Sequence, residues 1–232
     1  MWIVKISGVT DYDAALSIDV SEYFAIGVII EDLSNVRQVS KFDARRIFNS
    51  IENCVKIAEL NPQSIDDIFD ILDACNPDMI QINGQFFDNE NNLAELQSLC
   101  TLPIIASVVL DKNNLSSNII DPDPIVALKK IDPFVSAINL NMPLGNYWKT
   151  PSKRDKIAQL FFEVRKSVSS PIIVGGGLNA HNVGKIIQTL QPSAIDVSSS
   201  VEKVTGIKDP ELMQEFLDAL FDYKDYLRGI FI

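Results

Sequence analysis

Residues 171–202 read PIIVGGGLNAHNVGKIIQTLQPSAIDVSSSVE, and this stretch contains the unit from which the fold is predicted. It opens with a short apolar run at Pro171–Val174 and closes with a second one at Ala194–Val197. Between them, after three glycines, apolar residues recur at helical spacing from Val183 to Leu190. Short, continuous apolar runs suit strands that are buried on both faces. The stretch therefore predicts a strand–helix–strand unit with parallel strands.

The same alternation extends over the rest of the chain. Six further apolar, β-branched runs have strand character: Trp2–Ile6, Phe24–Ile30, Cys54–Ile57, Met79–Ile82, Leu102–Leu110 and Phe134–Leu140. Each is followed by helical spacing or by room for a helix. Because crossovers are right-handed, the strands run parallel, and eight such strands close into a barrel. We predict one α/β domain, a (βα)₈ TIM barrel, over residues 1–232. The alternative, a doubly wound open sheet, usually carries an early GxGxxG loop, which this sequence lacks.

Composition narrows the classes of partner. The chain has 232 residues, 47% hydrophobic and 22% charged, which is typical of a globular protein with a substantial core. Its net charge of -11 repels phosphate backbones, so we expect no nucleic-acid partner. A phosphorylated small-molecule ligand would therefore need a local positive site.

Cysteine and histidine usage argues against metal and disulfide chemistry. The three cysteines show no CxxC spacing and His181 is the single histidine, so we expect free thiols, no metal site and no cofactor. The opening MWIVKISG lacks a basic region followed by a long apolar stretch, and no run approaches 18 apolar residues. We expect a cytoplasmic protein without a signal peptide or a membrane span.

The functional end of such a barrel is formed by the carboxyl ends of the strands and the loops that follow. Candidate side chains at these positions are Lys5, Ser7, Arg37, Gln81, Asn83, Asp111, Asn139 and Asn141. Lys5 and Ser7 stand two apart, so both can point into the barrel mouth. For Lys5, a structural lysine paired with a carboxylate such as Asp196 is an equally good interpretation. For Arg37, the alternative to ligand binding is a solvated surface arginine.

The loops after the seventh and eighth strands predict a phosphate site. Gly176 and Gly177 expose backbone N–H groups, and Ser199 and Ser200 add hydroxyls where a short helix would begin. Barrels commonly hold a phosphate between these two loops. The alternative is a tight turn and a serine-rich cap with no ligand.

These segments together resemble phosphoribosylanthranilate isomerase. KISGVTDYDAA (5–15) resembles the family's KICG(I/L)T…DA, and NVRQVS (35–40) its S-x-R-Y-(I/V)-S. QING (81–84) resembles QLHG, and VGGGLNAHNV (174–183) resembles (A/S)GGL-x-x-x-NV. The most specific segment, AIDVSSSVEKVTGIKD (194–209), resembles DVSSGVE…G-x-KD. The similarity is weak from residue 85 to residue 156.

The resemblance implies an Amadori rearrangement of a phosphosugar. An acid protonates the ribose ring oxygen, and a base removes the C2′ proton of the resulting imine. By resemblance, Ser7 stands at the position of the family's cysteine base and Asn141 at that of its aspartate acid, or Asn139 if the register slips by two. Arg37 matches the arginine that meets the anthranilate carboxylate, and the loops after strands seven and eight match the phosphate site.

Both catalytic positions depart from the family pattern. A serine without an adjacent histidine is a poor base, and an amide donates no proton as an acid. Asn83 also replaces the histidine of QLHG, and Ser200 replaces the glycine of DVSSGVE.

Three interpretations follow. The chain is an isomerase that uses other groups, with Asp111 or Glu31 as the substitute, or a paralogue with another reaction or ligand, or a non-catalytic binder of a metabolite or a protein partner. The apolar end Gly229–Ile232 is compatible with a monomer and with a homodimer.

Overall fold

The computed structural model shows a closed (βα)₈ barrel, which confirms the predicted fold. It describes residues 3–19, 21–83, 86–87, 89–110 and 123–221. Parallel pairing runs around the sheet, and the ring closes because the first strand pairs with both the second and the last barrel strand.

The barrel strands are β1 (Val4–Ser7), β2 (Phe24–Ile30), β4 (Val55–Leu60), β5 (Met79–Asn83), β6 (Ile104–Val109), β7 (Ala137–Asn141), β8 (Ile172–Gly175) and β9 (Ala194–Val197). A two-residue strand, β3 (Gln38–Val39), adds to β2, and β10 (Glu202–Val204) pairs antiparallel with β11 (Ile207–Lys208). The helices are α1 (Tyr12–Ile18), α2 (Lys41–Asn49), α3 (Ile65–Cys75), α4 (Glu90–Leu99), α5 (Pro124–Ile131), α6 (Leu144–Trp148), α7 (Pro151–Ser167), α8 (Val183–Leu190) and α9 (Pro210–Phe221).

Local sequence explains where several helices begin and end. Ser64 and Asp67 form a capping box before α3, and Asp123 caps α5, whose first residue is Pro124. Asn76 ends α3 in the left-handed conformation, a position that asparagine tolerates well. Such caps satisfy N–H and C=O groups that have no partner inside the helix.

The core has two parts. The larger part fills the space between the strands and the surrounding helices. The smaller part lies inside the barrel and consists of Ala25, Ile57, Ile105, Ala137, Ile173 and Ala194. Two residues further along each of these strands, on the same face, stand Gly27, Glu59, Ser107, Asn139, Gly175 and Asp196. The barrel interior thus changes from an apolar layer to a largely polar one toward the carboxyl ends of the strands.

The structure differs from the sequence prediction in one consequential place. The third barrel strand, expected over Cys54–Ile57, runs from Val55 to Leu60. Glu59 interrupts the apolar run, so the sequence pattern ended the strand too early. The hairpin formed by β10 and β11 was not predicted from the sequence. Among the helices that the structure describes, none has the length and apolar character needed to cross a membrane.

Candidate active site

A cavity of about 440 Å³ opens at the carboxyl ends of the barrel strands. Its wall combines inward-facing strand residues with residues from the loops after β2, β8 and β9: Ser7, Ile29, Asp32, Asn35, Arg37, Glu59, Leu60, Gln81, Asn83, Ser107, Val109, Asn139, Asn141, Gly176, Gly177, Leu178, Asp196, Ser198 and Ser199. This is where the barrel geometry places functional residues.

Lys5 forms the centre of a polar cluster beneath the cavity. Its side chain is fully buried, and Nζ donates to Gln81 Oε1 at 2.7 Å and to Asp196 Oδ2 at 3.1 Å. Nζ also lies 3.1 Å from Glu59 Oε1. Burial lowers the pKa of Lys5, but the adjacent Asp196 and Glu59 carboxylates outweigh burial and raise it above its ordinary value. Lys5 is therefore a cation that holds two carboxylates at the floor of the cavity.

Asp196 is the more fully bonded of the two carboxylates. Ser7 Oγ donates to its Oδ1 at 2.5 Å, and Asn139 Nδ2 donates to its Oδ2 at 2.6 Å, next to the bond from Lys5. Asn139 Nδ2 also lies 3.0 Å from Gln81 Oε1, which links the two amides. The Asn139 Oδ1 atom is buried and accepts no hydrogen bond from any described residue.

Glu59 reaches Lys5 across a gap that a glycine leaves open. A Cβ atom on Gly27 would stand 1.9 Å from Glu59 Oε1 and 2.9 Å from Lys5 Cε. Glu59 Oε2 accepts a hydrogen bond from Gln81 Nε2 at 3.2 Å, whereas Oε1 is buried and accepts none within the described chain. The absence of a side chain on β2 is thus what admits a second carboxylate to the cluster.

Arg37 stands at the cavity wall and is held by Glu202. Nε and Nη2 donate to the two carboxylate oxygens at 2.7 and 2.8 Å, and the buried Lys208 Nζ donates to Glu202 Oε1 at 2.8 Å. Burial raises the pKa of Glu202, but the hydrogen bonds from Arg37 and Lys208 outweigh it and hold the pKa at about 2. Glu202 is therefore ionised at neutral pH, and Arg37 is both paired and oriented.

The loop after β8 owes its glycines to a close backbone contact. Gly176 and Gly177 have φ angles of +97° and +84°. A Cβ on Gly176 would stand 1.9 Å from the Met142 carbonyl oxygen, and one on Gly177 would stand 2.7 Å from the Gly145 nitrogen. Packing against the segment after β7 thus requires glycine at both positions, a requirement that is independent of any bound anion.

The loop after β9 begins with one turn of 3₁₀ helix over Ser199–Val201. No described residue accepts a hydrogen bond from the backbone N–H groups of Gly176, Gly177, Ser199 and Ser200. Gly177 and Ser199 are exposed and Gly176 and Ser200 are half-buried, so these N–H groups are accessible to a bound acceptor.

Comparison with known proteins connects this geometry to one family. The family model described as "N-(5'phosphoribosyl)anthranilate (PRA) isomerase" matches residues 158–219. An N-(5'-phosphoribosyl)anthranilate isomerase of Methanocaldococcus jannaschii is 29% identical over 230 residues, covering 94% of this chain and 96% of the relative. Its counterpart in Haloferax volcanii is 24% identical and covers 93% and 91%. The chain is similar to phosphoribosylanthranilate isomerases over nearly its whole length.

A solved structure supports the barrel fold of this chain. It is a phosphoribosylanthranilate isomerase in complex with reduced 1-(o-carboxyphenylamino)-1-deoxyribulose 5-phosphate, and it matches with a TM-score of 0.74 and 21% identity. The match covers 97% of this chain and 100% of the other.

Most of the residues predicted for the site lie on the wall of this one cavity: Ser7, Arg37, Gln81, Asn83, Asn139, Asn141, Gly176, Gly177 and Ser199. Lys5 lies beneath the floor, covered by its partners, as the structural interpretation of this lysine had it. Ser200 lies outside the wall, and its buried Oγ has no hydrogen-bond partner in the described chain. Asp111 falls outside the described residues.

Several residues of the site were not among the sequence candidates. Glu59 was missed because it lies beyond the predicted end of its strand. The sequence suggested Asp196 only as a partner for Lys5, and it suggested no role for Glu202. Glu31, one of the suggested substitutes for the missing acid or base, is exposed and accepts from the Lys41 backbone at 3.4 Å, away from the cavity wall. Within the described residues, no group of three or more histidine, cysteine or acidic side chains is arranged to hold a metal ion.

Proposed function

We propose that this protein binds a phosphorylated sugar-type substrate in the cavity and isomerises it by the Amadori rearrangement of phosphoribosylanthranilate isomerases. The observation that carries the proposal is the composition of the cavity. It combines an oriented arginine, two loops with unpaired N–H groups, and a floor of carboxylates and amides. A substrate with a phosphate at one end and a carboxylate at the other, joined by hydroxyl groups, complements these features.

The phosphate is assigned to the N–H groups of Gly176, Gly177, Ser199 and Ser200. Their left-handed and turn conformations turn successive N–H groups outward, an arrangement that suits an anion. In a chain with a net charge of -11, such a local donor cluster is needed for a phosphorylated ligand to stay bound.

The anthranilate carboxylate is assigned to Arg37. A guanidinium carries five N–H donors, of which Glu202 accepts two. The remaining donors and the planar charge suit a carboxylate at the cavity wall. Because Glu202 fixes the arginine beforehand, little side-chain freedom is lost when the ligand binds.

The chemistry requires two proton transfers that Ser7 and Asn141 do not provide by themselves. Ser7 Oγ already donates to Asp196, and Asn141 carries an amide that does not ionise. Each proton-transfer group is worth roughly 10²–10⁴ in rate. The proposed isomerisation is therefore slow compared with the ordinary range of about 1–10³ s⁻¹.

The residues at positions 7 and 141 favour a second candidate function. A paralogue that keeps the phosphate site, but binds a different phosphometabolite or a protein partner, has no need of an acid at residue 141 or of a thiol at residue 7. Similarity to phosphoribosylanthranilate isomerases over nearly the whole chain favours the isomerase, whereas the identity of the side chains at residues 7 and 141 favours the paralogue.

An assay of phosphoribosylanthranilate turnover, monitored by anthranilate fluorescence, distinguishes the two candidate functions. If the protein is an isomerase, the observed rate should increase with protein concentration, and the turnover number should stay below about 1 s⁻¹. Growth of a tryptophan auxotroph lacking the isomerase would show whether this rate suffices in a cell. Binding of the reduced product analogue without any turnover would favour the paralogue.

A further inference from the structure

A carboxylate that belongs to neither family catalytic position faces the cavity. Glu59 lies near the carboxyl end of β4, with its side chain 12% exposed. One of its oxygens accepts a single hydrogen bond, from Gln81, and the other lies beside Lys5 without an aligned hydrogen bond. Because Oε1 is buried, the oxygen of Glu59 that can meet a ligand is Oε2, which accepts one hydrogen bond and keeps a second lone pair in a cavity that lacks a conventional base.

Comparison with Asp196 shows which carboxylate is free to react. Asp196 accepts three hydrogen bonds, from Ser7, Lys5 and Asn139, so its lone pairs are largely committed to the fold. The Lys5 cation neutralises only one of the two carboxylates. A second negative charge therefore remains at the floor of the cavity, and Glu59 is the group with fewer donors around it.

We propose that Glu59 is the catalytic base that takes the C2′ proton in the isomerisation. This inference rests on the proposed function. After a water protonates the ring oxygen and the C1′–O bond breaks, the nitrogen lone pair forms the C1′=N iminium. Glu59 then accepts the C2′ proton, the C2′–H electron pair forms C1′=C2′, and the C1′=N pair returns to nitrogen. In the last step the hydroxide left by that water takes the enol O–H proton, the O–H electron pair forms C2′=O, and the C1′=C2′ pair takes the proton from Glu59 to form the new C1′–H bond. The carboxylate and the water are thereby regenerated.

This assignment explains why the barrel admits a second carboxylate beside Lys5. Gly27 supplies the space that Glu59 occupies, and Asp196 alone would already neutralise the lysine. A purely structural role for Glu59 would require the cluster to bury an excess negative charge, which is costly without a compensating function.

The test measures turnover and ligand affinity separately in Glu59→Gln, because glutamine has nearly the same size as glutamate. Turnover of phosphoribosylanthranilate should fall by about 10²–10⁴. The Kd for reduced 1-(o-carboxyphenylamino)-1-deoxyribulose 5-phosphate, which undergoes no proton transfer, should stay within about threefold. The control is Glu163→Gln, on the exposed side of α7, which should change neither quantity. Circular dichroism checks that each variant folds.

A second variant distinguishes a base from a neutralising charge. Glu59→Ala removes a CH₂–COO⁻ group, so added acetate fits the space and should restore turnover by at least about tenfold. Chloroacetate, which is similar in shape but less basic, should restore less if the anion acts as a base. Equal rescue by both anions, no rescue, or parallel losses of turnover and affinity in Glu59→Gln would each overturn the assignment.

Failure of this assignment is distinguishable from failure of the proposed function. If the unmodified protein turns over substrate and Glu59→Gln is equally active, Glu59 is not the base and the isomerase remains. If the unmodified protein shows no turnover, both conclusions are overturned together.

Discussion

Arg37 and Glu202 form a two-point ion pair between the loop after β2 and the loop after β9. The Nε–Oε1 and Nη2–Oε2 distances are 2.7 and 2.8 Å, and the pair joins residues 165 positions apart in the chain. Arg37 is one-fifth exposed at the cavity, whereas Glu202 is almost fully buried behind it. The pair therefore holds the guanidinium in place at the wall while leaving part of it open to a ligand.

Arg37→Ala should weaken ligand binding more than it weakens the fold. Loss of a charge-assisted hydrogen bond to the ligand carboxylate should raise the Kd for the reduced product analogue by about 10- to 100-fold. The free energy of unfolding should fall by only about 1 kcal/mol, because Lys208 still neutralises Glu202. Calorimetric titration and urea unfolding measure the two effects. Arg46→Ala, an exposed arginine on α2, is the control, and equal affinity in both variants would return Arg37 to a surface role.

Glu202 makes stability depend on pH in the acid range. Its pKa is about 2 in the folded protein, against an ordinary value of 4.5. A lowered carboxyl pKa stabilises the fold above the ordinary value, and this stabilisation is lost as pH falls toward the folded value. The difference is worth up to about 3 kcal/mol between pH 5 and pH 2.

Glu202→Gln should remove that part of the acid dependence. Urea unfolding at several pH values should show that the variant and the unmodified protein converge in stability as pH approaches 2. Glu163→Gln should instead keep the full dependence. A constant difference between Glu202→Gln and the unmodified protein across this range would mean that the ion pair leaves the pKa of Glu202 unshifted.

The sequence predicted the barrel well because the strands are buried on both faces. Runs such as Phe24–Ile30 and Ala194–Val197 are nearly continuous in apolar residues, and their bounds agree with the observed strands. Prediction was poorer where a buried strand carries a charge. Glu59 interrupts the apolar run of its strand. It lies inside the barrel because it pairs with Lys5, which stands 54 positions earlier in the chain.

The pairing of Arg37 was equally invisible in the sequence. Its carboxylate partner, Glu202, is the first residue of the hairpin formed by β10 and β11, whose apolar residues Val204 and Ile207 are exposed and mark no buried face. Long-range partners of this kind depend on closure of the barrel and not on local periodicity. The rule that functional residues lie at the carboxyl ends of barrel strands therefore predicted where the cavity opens, whereas local sequence patterns do not show the long-range ion pairs beside it.

Gly27→Ala should disturb the floor of the cavity. The new Cβ would stand 1.9 Å from Glu59 Oε1, so the carboxylate must move away from Lys5. Overpacking of this kind typically costs about 1–3 kcal/mol. Gly145→Ala is a matched control, because a Cβ there would have no contact closer than 3.8 Å. Thermal and urea unfolding compare the two variants, and equal stability would mean that the Glu59 side chain relocates without loss.

The double change Ser7→Cys with Asn141→Asp should raise isomerase activity. A cysteine supplies a thiol that ionises far more readily than a serine hydroxyl, and an aspartate supplies a titratable acid. Both positions lie on the cavity wall, so the new groups would face the ligand. We expect turnover to rise by about 10²-fold or more. The two single variants serve as controls, and no gain in the double variant would show that the binding residues do not orient the substrate for the family reaction.

A crystal soaked in sulfate or phosphate should hold one anion between the loops after β8 and β9. The expected contacts are about 3 Å from the backbone N–H groups of Gly176, Gly177, Ser199 and Ser200. Ser200 also has a buried hydroxyl without a described partner, and an anion within reach would accept a hydrogen bond from it. Ser200→Ala should then weaken phosphate binding by about tenfold, whereas Ser167→Ala, on α7, should not change it. An empty pocket closed by the Ser200 side chain, or an anion bound at Arg37 alone, would show that the phosphate site predicted from these loops does not exist in this chain.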